Sequence, residues 1–386
     1  MPRSFEPYQK NFHSRSFSSF FQPAWDAISK TIILESRGDR PLKMTFEDQL
    51  KMLVFFHLEE HVSARHMLQV LDQDDFAREN IAPEGGIKKS SFFEAINSRG
   101  LEQLQSVFGH LCQQASGILP NTHAELGNLV ALDGSLIDAT LSMHWADYRK
   151  GSKKAKIHLG FDLNHGIPSK IYFTDGKGAE RPFVDPITST GQTVVTDRGY
   201  QEHALFDDLQ AQGKHFAIRI KGKTTKTVVK ENAVTPNGIV FYDAEVILGS
   251  KENKNQSTPV RLVGYCVDRV KYWIATDRRD LTAEQIAEAY KLRWKIENFF
   301  AWWKRHLRVY HLIARSRYGL MVQIMAGLIT YLLLAIYCHT NHGGSVTIKR
   351  VRELRINIQN ELRIAEASPD HKIPIGHEQQ HLQAKT

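Results

Sequence analysis

Residues 290–304 read YKLRWKIENFFAWWK. Tyr290, Arg293, Glu297 and Lys304 stand at successive spacings of three, four and seven. At about 100° per residue, helical side chains at those intervals fall within an arc of roughly 60°. Leu292, Ile296, Phe299 and Trp303 fall on another face, which would bury against a sheet while the polar stripe looks into a cleft. Arg293 with Glu297 is also an ordinary i,i+4 helix pair, so the stripe needs partners elsewhere in the chain before it means chemistry.

Charge is the first. Lys291, Arg293, Lys295, Lys304, Arg305, Arg308, Arg315 and Arg317 surround one acid, Glu297, whereas the whole chain of 386 residues carries a formal net charge of only +8. The pI is about 9.2. A lone carboxylate among cations suits a metal-assisted phosphodiester site: a hard oxygen ligand for Mg²⁺, flanked by groups that hold a nucleic-acid backbone. Smaller basic runs, Arg149 to Lys156 and Lys214 to Lys230, would extend the track.

Two further carboxylates are the second. Asp133 lies in LVALDGS (129–135) and Asp197 in VVTDRGY (194–200), each where an apolar run ends and a glycine follows within two residues. A carboxylate at the C-terminal end of a strand projects into the crevice where open sheets bind ligands. Asp-Gly is equally plain turn chemistry, and for either residue alone that reading is favoured.

Outward from these points the texture changes four times. Residues 1–122 have helical periodicity, as in Phe46, Leu50, Leu53 and Val54, then Val62, Met67, Val70 and Leu71. A third helix follows Gly85-Gly86 and Lys88-Lys89, with Ser90 as its expected N-cap. Such a region forms either a helix-turn-helix-like reader, with Lys88, Lys89, Ser90, Ser91 and Arg99 facing DNA, or a bundle with a solvated charged face. Residues 123–221 alternate short strands with a helix, including a hairpin turn at Asn164-His165-Gly166, and predict a mixed sheet with helices packed on it. Residues 222–280 are β-rich. Residues 281–345 open with Thr282 as N-cap of a helix to about Leu307, followed by a long apolar helix. Residues 346–386 hold a basic amphipathic helix (Ile348, Val351, Leu354, Ile358) and a tail from about Ser368.

Several classes are disfavoured. With 42% hydrophobic and 24% charged residues the chain is not disordered. Cys112, Cys266 and Cys338 form no CxxC pair, which fits a reducing cytoplasm, and the N-terminus lacks a signal-peptide core. The run Val322 to Cys338 contains Gln323, Gly327 and Thr330 and is shorter than the roughly 20 apolar residues a bilayer requires, so a buried helix and no membrane partner are expected. His57-Leu58-Glu59-Glu60-His61 matches an inverted zinc-peptidase pattern, but no third ligand follows in a clear context, and structural or DNA-facing histidines are favoured. His371, His377 and His381 read as part of a polar tail.

Taken together, Asp133 in ALDGS, Asp197 in TDRGY and Tyr290-x2-Arg293-x3-Glu297-x6-Lys304 resemble the Asp-Asp-Glu triad and Tyr-Arg-Glu-Lys signature of bacterial insertion-sequence transposases of the IS-four family. The resemblance covers roughly residues 127–342. It implies an α/β, ribonuclease-H-like mixed sheet with flanking helices, interrupted by a β-rich insertion, and an N-terminal helical DNA-binding region. It further implies two Mg²⁺ ions (with Mn²⁺ as a substitute) on Asp133, Asp197 and Glu297, and phosphate contacts from Tyr290, Arg293 and Lys304. An aromatic of the insertion, Trp273 or its neighbour Tyr272, would take a flipped base; adjacent strand residues face opposite ways, so at most one does so. The partners implied are double-stranded DNA, as element ends and target, and a second copy of the chain as a homodimer in the synaptic complex, in a bacterial, nucleoid-associated setting. The rival functions are a ribonuclease-H-like nuclease without strand transfer and a non-catalytic DNA-binding regulator.

Overall fold

A computed structural model describes residues 15–34, 42–139, 143–149, 152–252, 256–309 and 311–367; the tail histidines lie outside them. Among the described residues five α-helices come first: α1 (Arg15–Ile28), α2 (Phe46–Leu58), α3 (Ala64–Gln73), α4 (Lys89–Ser98) and α5 (Leu101–Ile118). Then follow β1 (Leu129–Asp138), β2 (Asp147–Arg149), β3 (Ser152–Asp162), β4 (Ile167–Asp175), α6 (Val184–Ile187), β5 (Thr193–Thr196), α7 (His203–Ala211) and β6 (His215–Arg219). The remainder is β7 (Lys226–Glu231), β8 (Val240–Leu248), β9 (Val260–Val267), β10 (Val270–Thr276), α8 (Ala283–Lys291), α9 (Trp294–His306), α10 (Arg317–His342) and α11 (Ile348–Ala367).

The ten strands of the described residues make one sheet, ordered β2-β3-β1-β5-β6-β10-β9-β8-β7, with β4 also paired to β3. Within it β4-β3-β1-β5-β6 is the third-second-first-fourth-fifth arrangement of a ribonuclease-H-like sheet: β3 is antiparallel to β1 and β4, while β1, β5 and β6 are parallel. The β-rich stretch 222–280 extends this same sheet, because β10 pairs antiparallel with β6. It also fastens the start of α8. The buried Arg261 pairs with Asp243 at 2.8 Å and donates to the carbonyls of Leu281 and Arg278, at 2.5 and 3.2 Å.

Strand alternation divides the apolar side chains between two clusters. Leu129, Ala131, Val195, Ala217 and Ile274 face α8, α9 and α10, in a cluster continuous with α1 to α5; Val130, Leu132, Val194, Phe216 and Ile218 face α6 and α7. Helix α10 is the centre of the larger cluster. By length and composition it could cross a bilayer, but 89% of its most apolar window is buried inside the protein, against α5, α2 and α4. Its polar interruptions are satisfied internally: Gln323 accepts from the Ile313 amide and donates to the His311 carbonyl, and Thr330 donates to the Ala326 carbonyl.

Three local expectations change, and the two histidines of the 57–61 pattern separate. Asp133 does not end a strand: β1 runs on to Asp138, and Gly134 pairs with His158. The helix expected from Thr282 to Leu307 is two. Thr282 does cap α8, with Gln285 closing the capping box, but at Leu292–Arg293 the backbone tightens to three-residue bonds, Arg293 to Tyr290, Lys295 to Leu292 and Ile296 to Arg293. Helix α4 begins at Lys89, with Lys88 as an N-cap lacking a side-chain bond, so Ser90 lies in the first turn. His61 falls beyond the end of α2 and shares no helix face with His57. His57 is wholly buried between the carbonyls of Leu307 and Gln323; it ties α2 to the C-terminal end of α9 and to α10.

Candidate active site

The register of three parallel strands places the chemistry. Leu129 pairs with Thr193 and Ala131 with Val195, so continuing two residues sets Asp133 beside Asp197. Likewise Thr193 pairs with His215 and Thr196 with Ile218, which sets Asp197 beside Arg219. All three point to the face that α8 and α9 cover. Since β5 stops at Thr196 while β1 continues, the sheet opens here and leaves room for a ligand. Asp197 then caps the short turn Arg198–Tyr200, its Oδ1 accepting from the Gly199 amide at 2.8 Å.

Across the opening stands the joint of α8 and α9. Arg293, 7% exposed, pairs with Glu297 at 2.8 Å, and its guanidinium lies 5.8 Å from the buried Tyr290 ring. Burial alone would lower the pKa of Arg293, but Tyr290, Glu297 and Asp133 hold it above its usual value. Lys304, two turns beyond Glu297, donates to the Leu136 carbonyl of β1 at 2.8 Å; burial lowers its pKa. Tyr290 and Arg293 therefore form the floor of the cleft, and Glu297 stands nearer its mouth.

Burial raises the Asp133 pKa to about 6, against the lowering pull of the Gly134 amide and Arg293 and with the help of Glu180 and Asp197. A carboxylate so placed has too little positive charge near it, and a divalent cation would supply the deficit. The donor set, carboxylate oxygens alone, is of the kind Mg²⁺ takes. The three carboxylates are not gathered about one point, because Glu297 is drawn to Arg293. His123, Glu125 and Glu288, whose ligand atoms do lie within 4.8 Å of one another, sit instead beside Lys295.

The two insertion aromatics separate as alternation requires. Tyr272 stacks on Tyr265 at 5.0 Å, carries the Arg219 guanidinium at 4.5 Å and lies 6.3 Å from Tyr290. Trp273 points to the other face, among Phe241, Tyr242 and Lys226, so the structure does not bring it to the carboxylates. Lys88 and Lys89 are exposed at the start of α4, whose Phe92, Ala95 and Ile96 are buried. Arg99 is half-buried. Of the basic runs, Lys214 is buried against Asp185, whereas Arg181, Arg198, His203 and Lys221 line an open groove beside Asp197.

A family model for the transposase DDE domain matches residues 125–333, from just before β1 into α10. The chain belongs to this transposase family. The transposase is 25% identical over 303 residues to a protein assigned as the transposase of insertion sequence element IS4SA of Synechocystis sp., covering 74% of this chain and 84% of the relative. It is also 25% identical over 214 residues to one assigned to element IS5377 of Geobacillus stearothermophilus, covering 55% and 57%. A piggyBac transposase synaptic complex with hairpin DNA is similar at 11% identity and a TM-score of 0.45, covering 93% of this chain and 83% of that one. The transposase is thus a DNA-acting enzyme that uses a divalent metal. The sequence reading missed Arg219 and Glu180. Arg219 lies beside Asp197 only through the parallel register of β5 and β6, which no spacing in the sequence encodes; Glu180 lies in a loop and carried no signal.

Proposed function

We propose that this transposase binds the ends of an insertion sequence and performs Mg²⁺-dependent cleavage and strand transfer through Asp133, Asp197 and Glu297. The observation that carries this is the β1–β5 register, which sets two carboxylates side by side at the point where the sheet opens, facing the Arg293–Glu297 pair. The spacing of Tyr290, Arg293, Glu297 and Lys304 supports the IS-four branch of the family. Two Mg²⁺ ions held by the three carboxylates, or Mn²⁺ in their place, would supply activation of the attacking water or 3′-hydroxyl and stabilisation of the leaving oxygen.

The chain's own side chains do the rest. Arg293 holds Glu297 in place and keeps a positive charge at the cleft floor, where Lys304 and Arg219 add two more for phosphates. Tyr290 buttresses Arg293 from below. Tyr272, with its face near Arg219 and Tyr290, is better placed than Trp273 to receive an extruded base. Lys88 and Lys89 present cations on the N-terminal helices for the element end, and two chains pair to synapse two ends. The site of action is the bacterial nucleoid in the cytoplasm.

Asp197→Asn should abolish Mg²⁺-dependent cleavage of DNA bearing the element's termini while binding that DNA as tightly as the wild type. Full cleavage by this variant would remove the catalytic assignment.

A further inference from the structure

Glu180 belongs to no part of the signature, yet its charge is felt at Asp133 from the other face of β1, the one covered by α6 and α7. Its carboxylate lies over the backbone of β1 where Gly134 has no side chain: a Cβ there would stand 2.7 Å from Glu180 Oε1. A glycine after Asp133 leaves the Glu180 carboxylate free to lie this close to the strand, where any side chain would push it aside. The Lys156 ammonium donates to Glu180 Oε1 at 3.2 Å and to the Gly178 carbonyl at 3.0 Å. Glu180 is therefore held from behind by a cation on β3.

A second observation comes from Tyr200. Its side chain is fully buried, and its hydroxyl lies beside Glu180, with Asp133 and Asp197 close by, without completing a well-aligned hydrogen bond. A buried, unfulfilled hydroxyl among three carboxylates costs free energy unless something ordered joins them. A bound cation with its water shell does this, since the shell both donates to carboxylates and accepts from a phenol.

We propose that Glu180 is a fourth carboxylate of the divalent-cation site, approaching Asp133 and Asp197 from the α6–α7 face where the sheet opens beyond β5, and that Lys156 and Tyr200 position it. This rests on the cation-site reading above. The chain has hard oxygen donors from β1, from the end of β5 and from the loop after β4, and Glu297 closes the opposite wall.

The test is Mn²⁺ binding by the full chain, followed by loss of the free-ion electron paramagnetic resonance signal, with thermal melts to confirm folding. Glu180→Gln should weaken Mn²⁺ binding about tenfold or more, the size of effect seen when groups supporting a metal site are removed. Asp133→Asn should weaken it at least as much. If Glu180→Gln binds Mn²⁺ as the wild type does while Asp133→Asn does not, the assignment of Glu180 fails and the cation site stands. If the wild type binds no Mn²⁺, or Asp133→Asn binds it unchanged, the cation-site reading itself fails. An independent measurement needs no variant: Fe²⁺ with ascorbate should cut the wild-type backbone near residue 180 as well as near residues 133 and 197. Cuts at the latter two without one near 180 would overturn the proposal.

Discussion

Replacing Asp133 by Asn should stabilise the metal-free protein at neutral pH while removing its activity. Burial raises the Asp133 pKa from 3.8 to about 6. Between those values the unfolded chain has released this proton and the folded chain retains it. Stability therefore falls as pH rises, by up to about 1.4 kcal/mol per pH unit, and levels off above pH 6. The full shift corresponds to roughly 3 kcal/mol; because Asp133 is only half-buried, solvent screening reduces this to about 1–2 kcal/mol. Asparagine does not ionise, and its carbonyl oxygen can keep the bond that Asp133 Oδ1 accepts from the Gly134 amide at 2.8 Å. Urea unfolding of wild type and variant in EDTA, from pH 4 to pH 8, measures the difference. The two should coincide near pH 4 and separate progressively to pH 6, with the variant more stable. Histidines such as His57, whose pKa burial lowers to about 4, titrate equally in both proteins and cancel. Mg²⁺ should then stabilise the wild type more than the variant. A difference that does not vary with pH would refute the reasoning, since it would show that the folded site imposes no charge penalty on Asp133.

Two further outcomes follow from the cleft. Arg293→Ala should lower the cleavage rate about 10²- to 10³-fold, the usual loss of one aligned cationic or hydrogen-bonding group at a reacting centre, and should reduce the salt slope of DNA binding by about one unit; an unchanged slope would show that Arg293 meets no phosphate. Tyr272→Ala should impair cleavage of duplex ends more than Trp273→Ala, which should act chiefly on stability through the contacts with Phe241 and Tyr242. The opposite order, measured on folded variants, would return the base-receiving role to Trp273.

Much of the site was legible because its signals are local. Thr282 with Gln285 caps a helix by bonds within one turn, and the spacing of Glu297 to Lys304 is fixed by helical pitch whatever lies beyond. The same pitch spreads the cations of the basic window. Consecutive positions on a helix rotate by about 100°, so Lys295, Lys304 and Arg305 of α9 do not share one face. Lys295 turns away to His123 and the Leu163 carbonyl, Arg308 meets Glu60, and Arg293 and Lys304 reach the region of β1 carrying Asp133.

By itself the sequence singled out Asp133, Asp197 and Glu297 as candidates and determined the hairpin between β3 and β4 and the buried character of α10, all properties of short stretches. The tertiary structure decided what those residues do together. The parallel register that aligns Asp133, Asp197 and Arg219 joins segments far apart in the chain, and no local preference specifies it. The break at Leu292–Arg293 forms where α8, anchored by Arg261 to the extended sheet, must hand over to α9, anchored by His57 and β1. Glu180 came into view only through the space that Gly134 leaves, a contact between a loop and a strand that no spacing in the sequence encodes.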